Sequence, residues 1–467
     1  MAPAARSRTP NHFVLGSYAC AAVFAMAFGL DLFRMPIQVS DSLAEIVAAQ
    51  STSSVGEAFV QNLRQEAYLR PLRIAQIKAI FDASGGRYHL AYRGFHVALF
   101  TLTLTLFVRA LQVKTATDLI AAMFAMTVFL GLHTFAGAVG SAYPINHFLE
   151  MIFFSLLAVN ILQGPPSWIR DVSALVAFAA AALTLESGLL VWVVLVVGHL
   201  AGLRGVSRRG VVAATVLLAA YVFIRFVYFG TGTPALTERS SGFGFQILEP
   251  DELQARFGAN PLSFYGYNVI SSILSVIAAE PRAGVWVFTR YWMGGDVPPW
   301  ATVAVVTSLV TTVVIAVAGL LMLRAGERER DASFIVLFCG VLVANAVLSY
   351  AYTKDEIVGV AGAFYALAAF ASVRFLIDRS PRINDWRAIP LVVLLAVSAG
   401  GWAIRTAGLH HVLLYQGFKQ RGDWITVPSF KTERARALVG ELRRDALNRP
   451  LPAPRFIPRW TDRWFEE

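Results

Sequence analysis

The chain has 467 residues, of which 56% are hydrophobic and only 15% are charged. Soluble domains usually contain about 25% charged residues, so this composition excludes a water-soluble or disordered protein and indicates an integral membrane protein. The two cysteines, Cys20 and Cys339, lie in apolar runs, so neither a disulfide framework nor a zinc finger is expected. The net charge of +10 then indicates orientation and contact with membrane lipid, and no nucleic acid partner is expected.

Apolar runs long enough to cross a hydrocarbon core of about 30 Å recur along the chain. They predict an all-α polytopic membrane protein with about eleven membrane-spanning helices, at 12–32, 90–111, 116–136, 146–163, 170–185, 187–203, 210–229, 299–324, 332–352, 356–377 and 387–407. The fifth and sixth are short and meet at Glu186, which indicates a tight hairpin. The segment 262–292 is interrupted by charges and a proline, so we interpret it as an amphipathic helix on the outer surface followed by a short re-entrant piece.

Basic residues at the ends of the predicted spans indicate the orientation. They lie at or just beyond the ends of the second, sixth, eighth and tenth spans, at Arg109, Lys114, Arg204, Arg208, Arg209, Arg324, Arg328, Arg330, Arg374, Arg379, Arg382 and Arg387. The positive-inside rule makes this side cytoplasmic and places 33–89, 230–298 and the tail 408–467 outside. The tail is rich in arginine, but the rule weakens for long segments. If 262–292 crossed the membrane, the tail would be cytoplasmic instead.

The long segment 33–89 that follows the first span has a helical pattern of its own. Leu43, Ile46 and Val47 share one helical face, and apolar residues recur every three or four positions through 57–84 between basic residues. This pattern predicts amphipathic helices that lie among lipid headgroups. Long ordered loops are often functional, so the segment is expected to contribute to a site.

Two later segments also have a recognisable composition. The stretch GTGTPALTERSSGFGF at 230–245 has no Walker pattern and predicts a flexible loop that gates a substrate. In the tail, FKTERARALVGELRRDAL at 430–447 predicts a basic amphipathic helix, on the membrane or against the outer loops. The following RPLPAPRFIPRW at 449–460 predicts an extended arm.

Four sequence features, taken in order, resemble one known family. They are VSD ending at Asp41, the run YLRPLRIAQIKAIFDASGGRYHLAYRGFHVALFTLTLTLFVRAL at 68–111, LTLESGLLVWVV at 183–194, and YNVISSILSVIAAEPRAGVW at 267–286. With these the chain resembles the GT-C superfamily of membrane glycosyltransferases, in particular the protein O-mannosyltransferases and their bacterial relatives. Leu185 stands where the family has lysine, Asp41 has no acidic neighbour, and no tetratricopeptide repeats follow the membrane domain. These departures leave metal dependence and the acceptor class open.

The resemblance implies a transferase that moves a sugar from a polyprenyl-phosphate donor to a glycan, lipid or protein acceptor. It implies a membrane domain over 1–407 whose outer segments 33–89 and 230–298 form the active-site face, with the basic, Pro-rich tail 408–467 in the periplasm. The expected location is a bacterial inner (plasma) membrane with the active site toward the periplasm. The reaction is expected to invert the anomeric carbon with an aspartate as general base.

Two carboxylates are the candidate catalytic groups. Asp41 is acidic and close to the membrane, which suits a base, although Ser40, Asp41 and Ser42 are equally good helix-capping residues. Glu186 lies at the turn of the hairpin, where an ionisable group at membrane depth indicates function. We expect it to orient the acceptor or to bind a metal, against the alternative of a solvated turn residue. A divalent cation, Mg²⁺ or Mn²⁺, shared by these two carboxylates is neither required nor excluded.

Cations near the outer face are the candidate ligands of the donor phosphate. Arg70, Arg93, Arg290 and Lys354 qualify, because arginine suits bidentate phosphate contacts and lysine supplies a point charge. Lys354 lies where relatives often place a basic residue against the lipid phosphate. The alternative for each is a charged side chain that reaches the interface from a helix end.

Histidines and tyrosines near the outer ends of the spans are candidate substrate-binding residues. They are His89, His96, His133, His147, Tyr350 and Tyr352. A histidine here can hydrogen-bond a phosphate or a sugar, and the alternative is a histidine buried inside the bundle. Zinc is not expected, because no pair has the usual short helical spacing and no cysteine lies near.

Other functions are compatible with the same composition. A polymerase that joins lipid-linked glycans would share the outer-face chemistry. A lipid or polysaccharide-precursor transporter would need charged or broken helices around a midplane cavity, often in two repeated halves, and no repeat is evident. A non-catalytic assembly partner would tolerate replacement of all the outer-face charges.

Overall fold

The computed structural model describes residues 12–63, 68–140, 144–230, 240–242, 245–258, 260–279, 285–295, 297–324, 330–380, 388–427 and 429–452. Within these, the side chains of 40, 41, 245–247, 285–288 and 330 lie outside the described part. The helices are α1 (His12–Arg34), α2 (Ser40–Ser51), α3 (Val55–Leu63), α4 (Pro71–Ala83), α5 (Tyr88–Leu111), α6 (Ala116–Gly131), α7 (His133–Gly140), α8 (His147–Leu162), α9 (Trp168–Ala182), α10 (Leu190–Leu200), α11 (Arg208–Val222), α12 (Pro250–Phe257), α13 (Leu262–Ala278), α14 (Val285–Met293), α15 (Pro299–Arg324), α16 (Arg330–Leu348), α17 (Gly359–Arg379), α18 (Ile389–Asp423) and α19 (Glu433–Asn448).

Short elements complete the fold. A 3₁₀ turn over Glu186–Leu189 precedes α10, and a π-helical turn over Phe223–Tyr228 extends α11. The strands β1 (Ser240–Gly242) and β2 (Phe245–Leu248) form a two-stranded antiparallel sheet. The architecture is therefore helical, as the composition predicts.

Seven of the described helices are each long and apolar enough to cross a membrane, which identifies a multi-pass membrane protein. They are α1, α11 with its π turn, α5, α15, α16, α17 and α18. The other predicted spans correspond to shorter or broken helices. The span at 116–136 is divided into α6 and α7, which meet at an angle of 59°. The count of eleven spans stays a prediction.

The centre of the bundle is α17, which packs against α6, α15 and α16. In its most apolar window 83% of the residues are buried, compared with 28% in α1. Small residues allow this close packing, since a Cβ added at Gly362 would lie 2.6 Å from the hydroxyl oxygen of Thr134. α17 is therefore surrounded by protein, whereas α1 exposes large apolar side chains at the periphery.

The segments outside the predicted spans gather at one end of the bundle, where α1 ends and α5 begins; we call this the loop end. There α2 packs against α4 and α19, and α19 also contacts α5. The indole nitrogen of Trp424 donates a 2.7 Å hydrogen bond to the Ile37 carbonyl, which fixes the end of α18 beside the chain that leaves α1. The tail boundary predicted at 407 falls inside α18, because the helix continues to Asp423.

The sequence interpretation placed α13 flat on the outer surface, and this prediction was wrong. The Asn268 amide bonds the Tyr350 carbonyl at 2.8 Å near the loop end, and Thr312 at the middle of α15 donates to the Ile277 carbonyl at 2.6 Å. α13 thus penetrates the bundle to about half its depth. Its polar residues face the protein interior while Ile270 and Leu274 are exposed, the reverse of a surface helix.

Candidate functional site

A cavity of about 410 Å³ opens at the loop end. Its walls come from the chain that starts α4, the first turn of α8, the 3₁₀ turn before α10, the end of α11, and the turn that follows α16. The candidate residues that line it are Arg70, Glu186, His147, Tyr350, Tyr352 and Lys354. The fold thus brings together half of the residues proposed from the sequence, although they are far apart along the chain.

The turn that carries Glu186 requires its glycine. A Cβ added at Gly188 would lie 2.2 Å from the Ala181 carbonyl oxygen, so no other residue allows the chain to fold back so closely on α9. The amide of Leu72 donates to the Leu183 carbonyl at 3.1 Å, which ties the start of α4 to this turn. Together these contacts place the start of α4 directly beside Glu186.

Glu186 is bound by two arginines from different elements. The Arg70 Nε donates to Glu186 Oε2 at 2.9 Å and to Oε1 at 3.2 Å, and its Nη2 also contacts Oε2. From the π-helical turn, Arg225 Nη1 lies 3.4 Å from Glu186 Oε1 and bonds the Tyr221 hydroxyl at 3.3 Å. A carboxylate held in this way is a poor proton acceptor, because the charged form is stabilised by both guanidinium groups. Glu186 therefore positions the two cations.

Arg70 is held in place by contacts within the protein. Its backbone amide bonds the Asn62 side-chain oxygen at 2.9 Å, and its guanidinium carbon lies 4.1 Å from the centre of the Tyr68 ring. Burial disfavours the charged form, but the nearby Glu186 carboxylate outweighs it and raises the pKa of Arg70. Arg70 is therefore a permanent, oriented cation with 22% of its side chain exposed.

The turn between α16 and α17 forms another part of the cavity wall. Tyr350 stacks edge-on against Tyr265 with ring centroids 5.3 Å apart, and the Tyr350 carbonyl accepts the Asn268 amide. Lys354 is exposed, and its carbonyl accepts a 3.1 Å bond from the Ile357 amide, which closes the turn. These contacts hold the turn that brings the exposed Lys354 to the same cavity as Arg70 and Arg225.

The first turn of α8 contributes His147, which is 1% exposed. Its Nδ1 lies 2.9 Å from Oε2 of Glu150, one turn later in the helix. The other oxygen of Glu150 accepts a 3.1 Å hydrogen bond from the Gln76 amide of α4. The histidine is thus held in one orientation where it lines the cavity.

Three candidates, Arg93, His96 and His89, do not line this cavity, and their proposed roles stay predictions. Arg93 bonds the Met35 carbonyl at 2.9 Å and the Gln420 side chain at 3.2 Å, and it also contacts the Pro36 carbonyl and His96. His96 in turn bonds Asn146 at 3.0 Å. His89 lies 2.7 Å from the Phe33 carbonyl. Arg93 and His89 thus link α5 to the end of α1 and the residues just after it, because helix ends leave carbonyl groups that need donors. His96 links α5 to the start of α8.

Two more candidates, His133 and Arg290, do not line the cavity. His133, at the break between α6 and α7, lies 2.9 Å from the Ser275 hydroxyl and 3.6 Å from Asp355. Arg290 is exposed on α14, with its guanidinium carbon 5.9 Å from the centre of the Tyr291 ring. The role predicted for Arg290 thus has no support from its position.

Asp41 lies in the first turn of α2, and its side chain is outside the described part of the structure. The helix starts at Ser40 with Val39 in the capping position, so Asp41 does not occupy the cap itself. Its role as a base stays a prediction. Glu45, one turn later, forms an ion pair with Arg73 at the start of α4, where Arg73 also lines the cavity.

Four residues that were not among the predicted candidates also help to build the site. Arg225 lies near the end of a predicted span, where an ionisable residue is itself a signal of function. Tyr221 and Arg73 had no such signal, because only the fold brings them to the cavity. Glu150 lies one helical turn after His147, a spacing that the sequence already contains.

The described residues contain no group of three or more His, Cys, Asp or Glu side chains placed to bind a metal ion. Glu186, one of the two carboxylates considered for a shared cation, is held instead by Arg70 and Arg225.

The cavity has the chemistry of a site for an amphiphilic anion. Four of its lining side chains are basic and two are acidic, and four tyrosines add hydroxyl groups. Along one side Val222, Phe226 and Leu348 line it while remaining 42%, 41% and 38% exposed at the bundle surface. In a membrane such a surface faces lipid tails, so an apolar chain can reach the charged cavity from the bilayer.

In comparisons with known proteins, no family model, no curated protein and no solved structure matches this chain.

Proposed function

We propose that this protein is a membrane glycosyltransferase that moves a sugar from a polyprenyl-phosphate donor to an acceptor at the loop end. The single observation that carries the proposal is the cavity in which Arg70, Arg225 and Lys354 meet beside an apolar, lipid-facing flank. A lipid-linked phosphate sugar has the matching parts: an anion, hydroxyl groups and a long apolar tail.

The arginines and the lysine have separate tasks in this proposal. Arg70 and Arg225 are already oriented by Glu186, so they offer the phosphate a charge-assisted site without reorganisation. Lys354 is exposed on a turn in the cavity wall, where it adds a point charge for the phosphate. As the bond between the sugar and the phosphate breaks, negative charge grows on the departing phosphate, and these cations stabilise that charge.

The acceptor hydroxyl attacks the anomeric carbon from the side opposite to the phosphate, which inverts that carbon. Asp41 is the proposed base for the hydroxyl proton, by the family resemblance alone. The eleven-span topology, the periplasmic side and the bacterial inner membrane are parts of the same proposal. Because a polymerase of lipid-linked glycans uses the same cavity chemistry, the acceptor distinguishes it from a single-sugar transferase.

The proposal is tested on purified protein in lipid bilayers with a panel of radiolabelled short-chain polyprenyl-phosphate sugars, with and without EDTA. Turnover of one donor supports a transferase, and the EDTA arm decides metal dependence. Lys354→Gln should lower turnover and phosphate affinity about tenfold, the size of one charge-assisted hydrogen bond. Arg290→Gln is the matched control, since Arg290 is an exposed cation that does not line the cavity.

Two results would count against the proposal. If Lys354→Gln and Arg290→Gln changed turnover and phosphate affinity equally, the cavity would not be the phosphate site. Movement of the labelled lipid across the bilayer without any sugar transfer would favour the transporter.

A further inference from the structure

The turn between α16 and α17 contains a short segment, 352–355, whose side chains alternate between two environments. Tyr352 is half-buried, Lys354 is exposed, and both line the cavity. Thr353 and Asp355 are buried, at 2% and 5% exposure, and do not line it. Such an alternation is that of an extended strand, whose successive side chains point to opposite faces. The segment therefore presents one face to the cavity and the other to the protein interior.

The backbone of this segment is hydrogen-bonded to β1. Ser241 donates its amide to the Ala351 carbonyl at 3.0 Å, and its own carbonyl accepts from the Thr353 amide at 3.1 Å. The two bonds enclose Tyr352 and form a parallel bridge. They fix which side chains face the cavity, because a slip of one residue exchanges the two faces of a strand. Such a slip would turn Lys354 away from the cavity.

Asn268 of α13 joins β1 to the same turn. Its side chain is buried, and its amide donates to the Tyr350 carbonyl at 2.8 Å and to the Ser241 carbonyl at 3.3 Å. Its backbone carbonyl accepts a 3.3 Å hydrogen bond from the Thr353 hydroxyl. Gly242 leaves room for this amide, because a Cβ there would lie 2.4 Å from Asn268 Oδ1. One side chain therefore contacts both β1 and the cavity wall.

We propose that Asn268 and β1, which together we call the clamp, set the face of segment 352–355 and thereby position Lys354 for the phosphate of the donor. This inference rests on the proposed function, because it takes Lys354 as a ligand of that phosphate. Asn268 does not line the cavity, so it is a positioning residue that acts through the turn. The alternative is that Asn268 only stabilises the fold.

The first experiment measures affinity for farnesyl phosphate on the full protein in lipid, with the clamp broken from either side. Asn268→Ala removes both amide bonds, and Gly242→Ala forces the Asn268 side chain away. Each should lower the affinity about fivefold, less than Lys354→Gln does, because a misplaced lysine still attracts the anion. When Lys354→Gln is already present, Asn268→Ala should lower the affinity by less than about twofold more, since the group it positions is gone.

Two controls separate positioning from a general loss of stability. Asn160→Ala also removes two bonds of a side-chain amide to carbonyl groups, those of Leu106 and Leu156. It should lower the melting temperature and leave the affinity for farnesyl phosphate unchanged. Gly266→Ala lies on the same helix as Asn268, and a Cβ there would have no atom within 4 Å, so it should change neither quantity.

The second experiment reads the face of the segment without any ligand, by labelling with a polar maleimide. The native cysteines, Cys20 and Cys339, are first replaced by serine. Lys354→Cys should then react at least about tenfold faster than Thr353→Cys, because only the first of these positions is exposed. With Asn268→Ala in addition, the two rates should come within about threefold of each other, since the segment no longer keeps one face toward the cavity.

The outcomes distinguish this inference from the proposed function. If the affinity losses of Asn268→Ala and Lys354→Gln multiply in the double variant, Asn268 does not act through Lys354 and the inference is overturned. Equal labelling rates at 353 and 354 with the clamp intact also overturn it, as does an equal loss of affinity in Asn160→Ala. Wild type that binds no farnesyl phosphate overturns the proposed function, whereas the labelling rates still decide whether the clamp sets the face of the segment.

Discussion

Replacing Glu186 by glutamine tests whether this residue positions the two arginines. The substitution keeps the shape of the side chain but removes the charge that Arg70 and Arg225 share. Breaking a fully buried ion pair costs about 3–5 kcal/mol. Here the Glu186 side chain is 22% exposed and the new amide oxygen can still accept one bond, so we expect a loss of about 2 kcal/mol in stability.

The assay follows thermal unfolding of the purified protein, with and without farnesyl phosphate. Because the two guanidinium groups then repel each other without a counter-charge, an anion in the cavity should stabilise Glu186→Gln more than wild type. A ligand at one hundred times its Kd adds about 2.7 kcal/mol, which is enough to restore the melting temperature. Glu441→Gln, an exposed residue of α19, is the control and should leave the unfolding unchanged.

The double variant Arg70→Gln with Glu186→Gln measures the pair directly. If the carboxylate and the guanidinium stabilise each other, the double variant should lose about 1–2 kcal/mol less unfolding free energy than the sum of the two single variants. Additive effects, or a Glu186→Gln protein that farnesyl phosphate stabilises no more than wild type, would refute the view of Glu186 as the residue that positions the arginines. A catalytic or acceptor-orienting carboxylate would then remain the better account.

Three further substitutions test how the fold builds the site. Gly188→Ala should disrupt the hairpin turn and abolish transfer, because the new Cβ would lie 2.2 Å from the Ala181 carbonyl oxygen. Gly266→Ala is the control and should be tolerated, because a Cβ there would have no atom within 4 Å. The measurements are the expression level and the turnover of both variants. Arg93→Met should lower the melting temperature but leave the affinity for farnesyl phosphate unchanged, since Arg93 bonds the Met35 carbonyl and the Gln420 side chain. A reduced affinity would indicate that Arg93 contributes to the phosphate site. Trp424→Ala should cost about 3–5 kcal/mol, measured by unfolding, because this fully buried indole fixes the end of α18; a change under about 1 kcal/mol would contradict the packing.

The apolar composition and the length of its runs were sufficient to predict a helical, multi-pass membrane protein. Hydropathy is a local property, and an apolar run of about 20 residues within a membrane satisfies its backbone hydrogen bonds by forming a helix. The hairpin at Glu186 was predicted for the same local reason, since two short apolar runs meet at one charged residue. For 262–292, hydropathy was a poor guide, because the polar residues of α13 face neighbouring helices and not water.

The composition of the site was decided by tertiary packing. The sequence marked Arg70, Arg93 and Arg290 alike, as cations near one side of the membrane, because charge and position relative to a span are all that a single chain segment reveals. Only the fold distinguishes them: Arg70 reaches Glu186 in the cavity, Arg93 bonds carbonyls near the end of α1, and Arg290 lies exposed on α14. His147 and Glu150 lie one helical turn apart, so their contact follows from the sequence once the helix forms. The bond from Gln76 to Glu150 requires in addition that α4 packs against α8. Chemistry at such a site depends on distances between segments far apart in the chain, and those distances exist only once the helices have packed.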